Sequence, residues 1–169
     1  LTNEISERDK AHEEIRQHSE NLAMVNSLLH LSLEEISLEE LLRKSLKLIF
    51  SVSWLSFEPR GIIYLIEDDH PETLIMKAQI GLSEAMQRCC TRVPVGRCLC
   101  GQAALTKEIQ FADHIDERHQ NTYEGIYPHG HYCVPILSTG GIRGVMAIYL
   151  KEGHIYSPKE EKLLKAISN

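Results

Sequence analysis

Hydrophobic positions in the first 36 residues recur at steps of three, four and seven, a spacing typical of one face of a helix. They are Ile15, Leu22, Val25, Leu29 and Ile36. His18 and Ser32 occupy intervening positions on the same face. The pattern predicts the a/d seam of a short coiled coil over residues 1–36. A helix that packs on its own domain is the alternative interpretation.

From residue 37 to residue 169 the pattern predicts one globular domain. Ser37 and Glu40 belong to a capping box that begins a helix. The predicted order is helix, two strands, helix, strand, helix, strand, loop, two strands and a final helix that begins at Ser157. Because hairpin-connected strands lie between helices, we expect an α+β fold. Its antiparallel sheet would have about five or six strands with helices on one face, preceded by the long N-terminal helix.

Composition narrows the classes of function. The 169 residues include 18 Lys and Arg against 24 Asp and Glu, which gives a net charge of −6. Such a chain lacks the basic surface that nucleic-acid binding requires. No apolar stretch approaches the roughly 18 residues that cross a bilayer, so no membrane segment is expected here. Five cysteines, an odd number, argue against a disulfide framework and indicate a reducing, cytoplasmic compartment.

Candidate chemistry is concentrated in residues 98–133, which hold seven of the fourteen cysteines and histidines. Cys98 and Cys100 lie where a helix is predicted to begin, and the positive end of the helix would lower their pKa values and favour thiolates. His129 and His131 lie two apart in a predicted strand, so they share one side. Two thiolates and two imidazoles predict a metal set that suits zinc, iron or an iron–sulfur centre.

Two other interpretations of these four residues stay open. In one, Cys98 and Cys100 are small residues that pack a tight turn between strand and helix, and the two histidines hydrogen-bond the long loop to the sheet. In the other, the four groups form a pocket without metal, which binds an organic ligand or undergoes thiol redox chemistry. Neither spacing nor composition decides among the three.

Residues 113–128 have no clear period and are rich in polar side chains, which is typical of a long functional loop. Arg118 is placed to contact a carboxylate ligand, or to pair with nearby Asp116 in a solvated loop. His114 and His119 are further candidates for a metal ligand. The complete predicted ligand-binding set is Cys98, Cys100, Asp113, His114, Arg118, His119, His129 and His131.

Four segments of the sequence resemble the GAF domain, a small-molecule sensing module of bacterial signalling proteins. They are Gly96–Ala104, Val134–Leu137, Gly141–Leu150 and the helix that begins at Ser157. One combination is similar to a subgroup of GAF domains found in sensor histidine kinases and diguanylate cyclases. It pairs Cys-Leu-Cys-Gly at 98–101 with Asp-Glu-Arg-His at 116–119 and His-Gly-His-Tyr at 129–132.

The resemblance implies a sensory role and a set of partners. In such proteins the preceding helix is a signalling helix, and the domains dimerise in parallel through their N-terminal and final helices. We therefore expect a parallel homodimer and, in the full-length protein, an output domain of the histidine kinase or diguanylate cyclase type. A small ligand, metal or redox event in the cavity bounded by residues 96–104 and 113–133 would then bias the packing of the terminal helices.

Other activities of GAF domains can be compared with the sequence. Bilin-binding members carry a Cys-His dipeptide and cyclic-nucleotide-binding members an Asn-Lys-x-x-x-Phe-Asp-Glu run, and this chain has neither. Free methionine sulfoxide reductases have a cysteine matching Cys100 before a glycine, but their long loop supplies a second essential cysteine that is missing here. The prediction is a non-catalytic sensor. The alternatives are a thiol-based redox enzyme of that kind and a ligand-free dimerisation module.

Overall fold

The structure is a computed structural model that describes residues 2–168. The helices are α1 (Thr2–Leu31), α2 (Leu38–Phe50), α3 (Glu84–Cys90), α4 (Cys98–Thr106) and α5 (Pro158–Ser168). The strands are β1 (Phe57–Glu67), β2 (His70–Ile80), β3 (Arg92–Pro94), β4 (Gln110–Ala112), β5 (His129–Ser138) and β6 (Gly141–Lys151). The segment 113–128 between β4 and β5 contains neither helix nor strand.

The strands form one six-stranded sheet in the order β3-β2-β1-β6-β5-β4. Every neighbouring pair is antiparallel. Two long hairpins, β1–β2 and β5–β6, make the centre, where β1 pairs with β6. The predicted α+β fold with an antiparallel sheet and a long N-terminal helix is confirmed.

Both faces of the sheet are buried. Residues of α1, α2 and α5 pack on one face, which is the predicted helical layer. On the opposite face lie α3, α4 and part of the 113–128 segment, so helices cover that face as well. Strand β6 shows why: Val145, Ala147 and Tyr149 belong to the second core while the alternate residues belong to the first. Its continuous apolar run is typical of a strand buried on both sides.

The capping box at Ser37 is confirmed, because its Oγ accepts a hydrogen bond from the Glu40 N–H at 3.2 Å. Within α2 the most deeply buried side chain is Leu46, followed by Ile49. The capping serine of α5 is likewise present, since Ser157 Oγ accepts from the Glu160 N–H at 3.4 Å. These local caps set where the helices begin and which face each presents to the sheet.

Helix α1 packs on the domain through its C-terminal half. Met24 is buried in the core with α2 and α5, and Trp54 Nε1 donates to Asn21 Oδ1 at 2.9 Å. On the other side of the helix Ile15, Leu22 and Leu29, at seven-residue spacing, are 67%, 53% and 61% exposed. An apolar row is therefore left uncovered on a single chain.

The predicted seam is shorter in the structure than in the sequence pattern. Ser32 and Ile36 lie beyond the end of α1 at Leu31, because the chain turns there and the Leu33 N–H donates to His30 O. Val25, also predicted for the seam, packs against the core of its own domain instead. No helix among the described residues combines the length and apolarity needed to cross a membrane.

Candidate functional site

Two histidines of the site come from the start of β5. His129 and His131 point to the same face of the sheet because residues two apart in a strand share a side, and both are buried, with exposed fractions of 0% and 3%. Gly130 lies between them with its backbone pressed against the end of β4. A Cβ atom there would lie 2.5 Å from Ala112 O. The His-Gly-His sequence thus allows β4 and the following segment to approach the two imidazoles.

A third imidazole arrives from the 113–128 segment. The His119 N–H donates to Asp116 O at 2.9 Å, which closes a short turn. Arg118 braces that turn, since its Nε donates to Asp116 Oδ2 at 2.9 Å and its Nη2 to Phe111 O at 3.1 Å. His119 is thereby held against β5 and is only 8% exposed.

The three imidazoles form a compact group, which we call the histidine cluster (His119, His129 and His131). Their ring centroids are 4.6 to 5.2 Å apart. One ring nitrogen from each residue can be chosen so that all three lie within 4.8 Å of one another. Tyr149 of β6 packs beside the cluster, with ring centroids 4.5 Å from His131 and 5.0 Å from His129.

Hydrogen bonding in the cluster is incomplete. His129 Nδ1 pairs with the carbonyl oxygen of Tyr127, which fixes the proton on Nδ1 and leaves a lone pair on Nε2. That Nε2, His119 Nδ1 and both ring nitrogens of His131 are buried without a hydrogen-bond partner. A buried polar group left unpaired costs about 1–3 kcal/mol, so the cluster as it stands is energetically expensive.

Burial also sets the charge of the cluster. Desolvation lowers the pKa of His119, of His129 and, most strongly, of His131. The neighbouring imidazoles lower the pKa of His131 further, because protonating one ring disfavours protonating the next. The three rings are therefore neutral at neutral pH and present lone pairs rather than positive charge.

A guanidinium lies beside this group without entering it. The Arg60 carbon Cζ lies 5.4 Å from the ring centres of Tyr127 and of Tyr149. Its charge contributes to the lowered pKa of His129 and His131. Glu58 partly balances that charge, since Arg60 Nε donates to Glu58 Oε2 at 2.6 Å.

The cysteines gather next to the histidine cluster. A cavity with about 10 Å³ of free volume, close to what one water molecule requires, has a wall of thiols, imidazoles and phenols. Its wall includes Tyr64, Cys90, Cys98, Cys100, His119, His131, Cys133 and Tyr149. Cys100 Sγ and Cys133 Sγ are 3.5 Å apart, and both cysteines are free thiols. Thiols and imidazoles therefore face a common interior space.

The prediction that Cys98 and Cys100 are thiolates at the start of α4 is wrong. Burial raises the pKa of Cys98, and the hydrogen bond to Cys133 together with burial raises the pKa of Cys100 well above its usual value. Burial likewise raises the pKa of Cys90 to about 12. Desolvation in this core outweighs the helix N-terminus, so Cys90, Cys98 and Cys100 are neutral thiols at neutral pH.

Comparison with known proteins assigns the family. The family model described as GAF domain matches residues 35–169. The chain belongs to the GAF domain family. No curated protein sequence matches it significantly.

Solved structures share the fold at low sequence identity. The GAF domain of an Acinetobacter phosphoenolpyruvate-protein phosphotransferase is 18% identical, with a TM-score of 0.69 over 90% of this chain and 87% of that one. The A. aeolicus nlh2 GAF domain is 19% identical, with a TM-score of 0.65 over 90% and 93%. The fRMsr of Staphylococcus aureus in its reduced form is 19% identical, with a TM-score of 0.67 over 88% and 90%.

The predicted site residues of this GAF domain divide into four groups. His129 and His131 form the histidine cluster with His119. The predicted partners Cys98 and Cys100 line the adjoining cavity, whose wall His119 and His131 share. Arg118 pairs with Asp116 in the turn that carries His119.

Asp113 and His114 are exposed and pair with each other, His114 Nδ1 lying 2.6 Å from Asp113 Oδ1. The neighbouring Asp113 carboxylate raises the pKa of His114. This pair therefore lies on the surface of the GAF domain and not at the cluster.

Two residues at the site escaped the sequence interpretation. Cys133 and Tyr149 are buried positions of β5 and β6 that belong to none of the site sets predicted from the sequence. The signal that could have found them is strand alternation, because Cys133 shares a side with His131. Tyr149 is the residue of β6 that pairs with His131 in the antiparallel register.

Proposed function

We propose that this GAF domain is a non-catalytic sensor. An occupant of the histidine cluster and its adjoining cavity would shift the 113–128 segment against the sheet. The shift would pass to α1 and α5, and through them to an output domain of the histidine kinase or diguanylate cyclase type. A cytoplasmic location and a bacterial parent protein are part of this proposal.

The observation that carries the proposal is that neighbouring residues of β5 contact the site on one face of the sheet and α5 on the other. His131 faces the cluster, and the next residue, Tyr132, faces the opposite side of the sheet. There the Tyr132 hydroxyl donates to Glu160 Oε2 at 3.1 Å and accepts from the Ser157 N–H at 3.1 Å. These are the cap and first turn of α5. A displacement of β5 at the cluster would therefore be applied directly to the start of α5.

The terminal helices offer the output surface. Ile15, Leu22 and Leu29 form an exposed row on α1, at a spacing that suits a two-helix seam. A groove of about 530 Å³ between α1 and α5, lined by Leu22, Trp54 and Leu163 among others, continues this surface. A parallel homodimer through α1 and α5 would cover both, and its geometry would change with the position of α5.

Hydrogen exchange of the complete chain tests the relay. Amide hydrogen exchange is measured for the protein alone, with Zn²⁺, and with a panel of small organic ligands that raise its Tm. We expect an occupant to slow exchange in 113–128 and to change exchange in α5 and α1. Tyr132→Phe removes both hydrogen bonds to the start of α5 while leaving the opposite face untouched. It should preserve binding and abolish the change in α5.

The same experiment can refute the sensor. An occupant that protects 113–128 but leaves α5 and α1 unchanged in the natural sequence would contradict the relay. An absence of any occupant, with a stable dimer, would favour a ligand-free dimerisation module instead.

A thiol-based redox enzyme is the second candidate, favoured by one observation. Cys100 and Cys133 lie close enough for a disulfide after a small movement, since their Sγ atoms are 3.5 Å apart. Reduction of a sulfoxide would convert it to a thioether and water while the two thiols become a disulfide. The raised pKa of Cys100 argues against a ready nucleophile. Turnover of free methionine sulfoxide with a thiol reductant, lost in Cys100→Ser, would establish the enzyme.

A further inference from the structure

We propose that His119, His129 and His131 form a three-imidazole site for one divalent first-row transition metal ion. The inference deepens the proposed sensory function and rests on it for the biological meaning of the metal. It differs from the set expected from sequence, because the ligands are three imidazoles and the cysteines stand beside them. Nothing in a three-imidazole set suits an iron–sulfur cluster, which is held mainly by thiolates.

The first argument is convergence. Imidazole nitrogens bind zinc at about 2.0–2.1 Å, so three of them around a tetrahedral ion lie about 3.3 Å from one another. One ring nitrogen from each residue of the histidine cluster already lies within 4.8 Å of the others. Closing each separation to about 3.3 Å needs a movement of about 1.5 Å at most, which small side-chain rotations of all three histidines would supply.

The second argument is the set of unpartnered nitrogens. His119 Nδ1, His129 Nε2 and the two nitrogens of His131 have no hydrogen-bond partner although they are buried. Neutral imidazoles cannot satisfy one another when lone pairs face lone pairs, and a single ion accepts three such lone pairs at once. His131 would keep one nitrogen free, which a water molecule in the adjoining cavity of about 10 Å³ can satisfy.

The third argument is the surrounding support. Metal-binding histidines usually donate their other ring N–H to a carbonyl or carboxylate, which fixes the ring and raises its basicity. His129 has this arrangement, with Nδ1 on the Tyr127 carbonyl and Nε2 unpartnered. For His119 the bracing is through the backbone, by the turn that Asp116 and Arg118 close.

The choice of metal follows from ligand chemistry. Imidazole suits zinc, iron, copper and nickel, whereas calcium and magnesium require oxygen ligands. No carboxylate belongs to the group that the described residues bring together. Three neutral ligands leave a fourth position for water or a small anionic ligand, in a cavity that Cys98 and Cys100 also line.

The decisive experiment is a metal titration of the complete chain, stripped of metal by a chelator and kept reduced and anaerobic. We expect one Co²⁺ per chain with the visible absorption of a nitrogen-rich site, displaced by Zn²⁺ because zinc binds such ligands more tightly. His119→Gln, His129→Gln and His131→Gln should each weaken Zn²⁺ binding roughly 100-fold or more. His114→Gln, an exposed histidine of the same segment, is the matched control and should bind normally.

Folding of the variants is checked independently. His119 lies on a loop, so His119→Gln should keep the circular dichroism spectrum of the natural sequence even where the strand variants do not. Saturating Zn²⁺ should raise the Tm of the natural sequence and leave the Tm of His119→Gln unchanged.

Two results would overturn the site. One is the absence of stoichiometric Co²⁺ or Zn²⁺ binding by the natural sequence. The other is binding that survives His119→Gln and is lost in Cys98→Ser or Cys100→Ser, which would place the metal on the thiols.

The failure of the metal site and the failure of the sensory function can be told apart. If Zn²⁺ does not bind while an organic ligand changes hydrogen exchange in α5, only the metal site is refuted. If Zn²⁺ binds and α5 does not respond, only the sensory function is refuted.

Discussion

Cys100 and Cys133 face each other across the contact between α4 and β5, with their Sγ atoms 3.5 Å apart. Both side chains are buried, at 8% and 0% exposure. Gly101, the next residue, lets the start of α4 pack closely on the end of β3, because a Cβ atom there would lie 2.3 Å from Pro94 O. The strand–helix turn thus packs without side-chain bulk, and the two thiols meet in the core.

This placement predicts unequal reactivity among the five cysteines. In the folded protein iodoacetamide should modify Cys89 first, since it is the one cysteine of the described chain that is not fully buried. Cys98 and Cys100 should resist, because they are buried and their raised pKa values keep them as thiols. Peptide mass mapping over time measures the order. All five should react alike in urea, and early modification of Cys100 in the folded state would contradict the prediction.

Tyr132→Phe should destabilise the domain by about 1–2 kcal/mol, the cost of two lost hydrogen bonds at a buried site. The hydroxyl joins Glu160 and the Ser157 N–H, so its loss loosens the start of α5. Urea unfolding followed by circular dichroism measures the change. Tyr156→Phe removes an exposed hydroxyl from the same region and should change the free energy of unfolding by less. Equal losses of free energy of unfolding in the two variants would show that the Tyr132 hydrogen bonds do not stabilise the start of α5.

Arg118→Gln should weaken Zn²⁺ binding by roughly 10-fold while leaving the fold intact, because residues that hold a metal ligand in position have effects of that size. The substitution removes the contacts with Asp116 and Phe111 O that brace the turn before His119. Competition with a coloured chelator gives the affinity. Glu117→Gln, at an exposed neighbouring position, is the control. Unchanged affinity in Arg118→Gln would mean that the turn holds without its brace.

Gly130→Ala should destabilise the protein by about 1–3 kcal/mol, the usual cost of overpacking. The new methyl group would lie 2.5 Å from Ala112 O, and both atoms belong to paired strands that cannot easily separate. Thermal unfolding measures the loss. In Gly140→Ala, in the β5–β6 turn, the new methyl group would be close only to the flexible end of Arg143, with Ser138 Oγ at an ordinary contact distance of 3.9 Å, so the change should be tolerated. A stable Gly130→Ala would show that β4 can move away from β5.

Leu22→Glu should dissociate the proposed homodimer, because it puts a charge into the middle of the exposed row on α1. Light scattering after size-exclusion chromatography gives the mass of natural and variant chains. Glu35 lies outside α1 in the exposed connection to α2, so Glu35→Gln should leave the mass unchanged. A natural sequence that is monomeric at high concentration would rule out this dimer.

The fold was accessible from the sequence because its signals are local. Ser37 and Ser157 act as caps within three residues of their partners, and alternation along β5 and β6 is set by the pleat. The same alternation correctly put His129 and His131 on one side. What local patterns leave open is which face of a two-sided sheet each helix covers, since both faces are equally apolar.

The histidine cluster needed tertiary information. His119 belongs to a segment without period, and tertiary contacts place that segment, among them Arg118 Nη2 to Phe111 O and the Gly153 N–H to Asp113 O. The prediction of thiolates at Cys98 and Cys100 failed because burial affects the pKa of a thiol more strongly than the end of a helix does. A helix end is worth about 0.3–1 kcal/mol to a nearby charge, whereas burial shifts pKa values by up to several units at 1.36 kcal/mol each.

Helix α1 is attached to the rest of the domain near its middle. Glu20 accepts from the Ser53 N–H at 3.0 Å and Asn21 accepts from Trp54, which pins this part of the helix to the connection between α2 and β1. Residues 2–19 extend beyond this contact as a helix about 27 Å long at 1.5 Å per residue. A tilt of about 10° at the contact would move the far end of the helix by about 5 Å, so slight motions of the core would be magnified there.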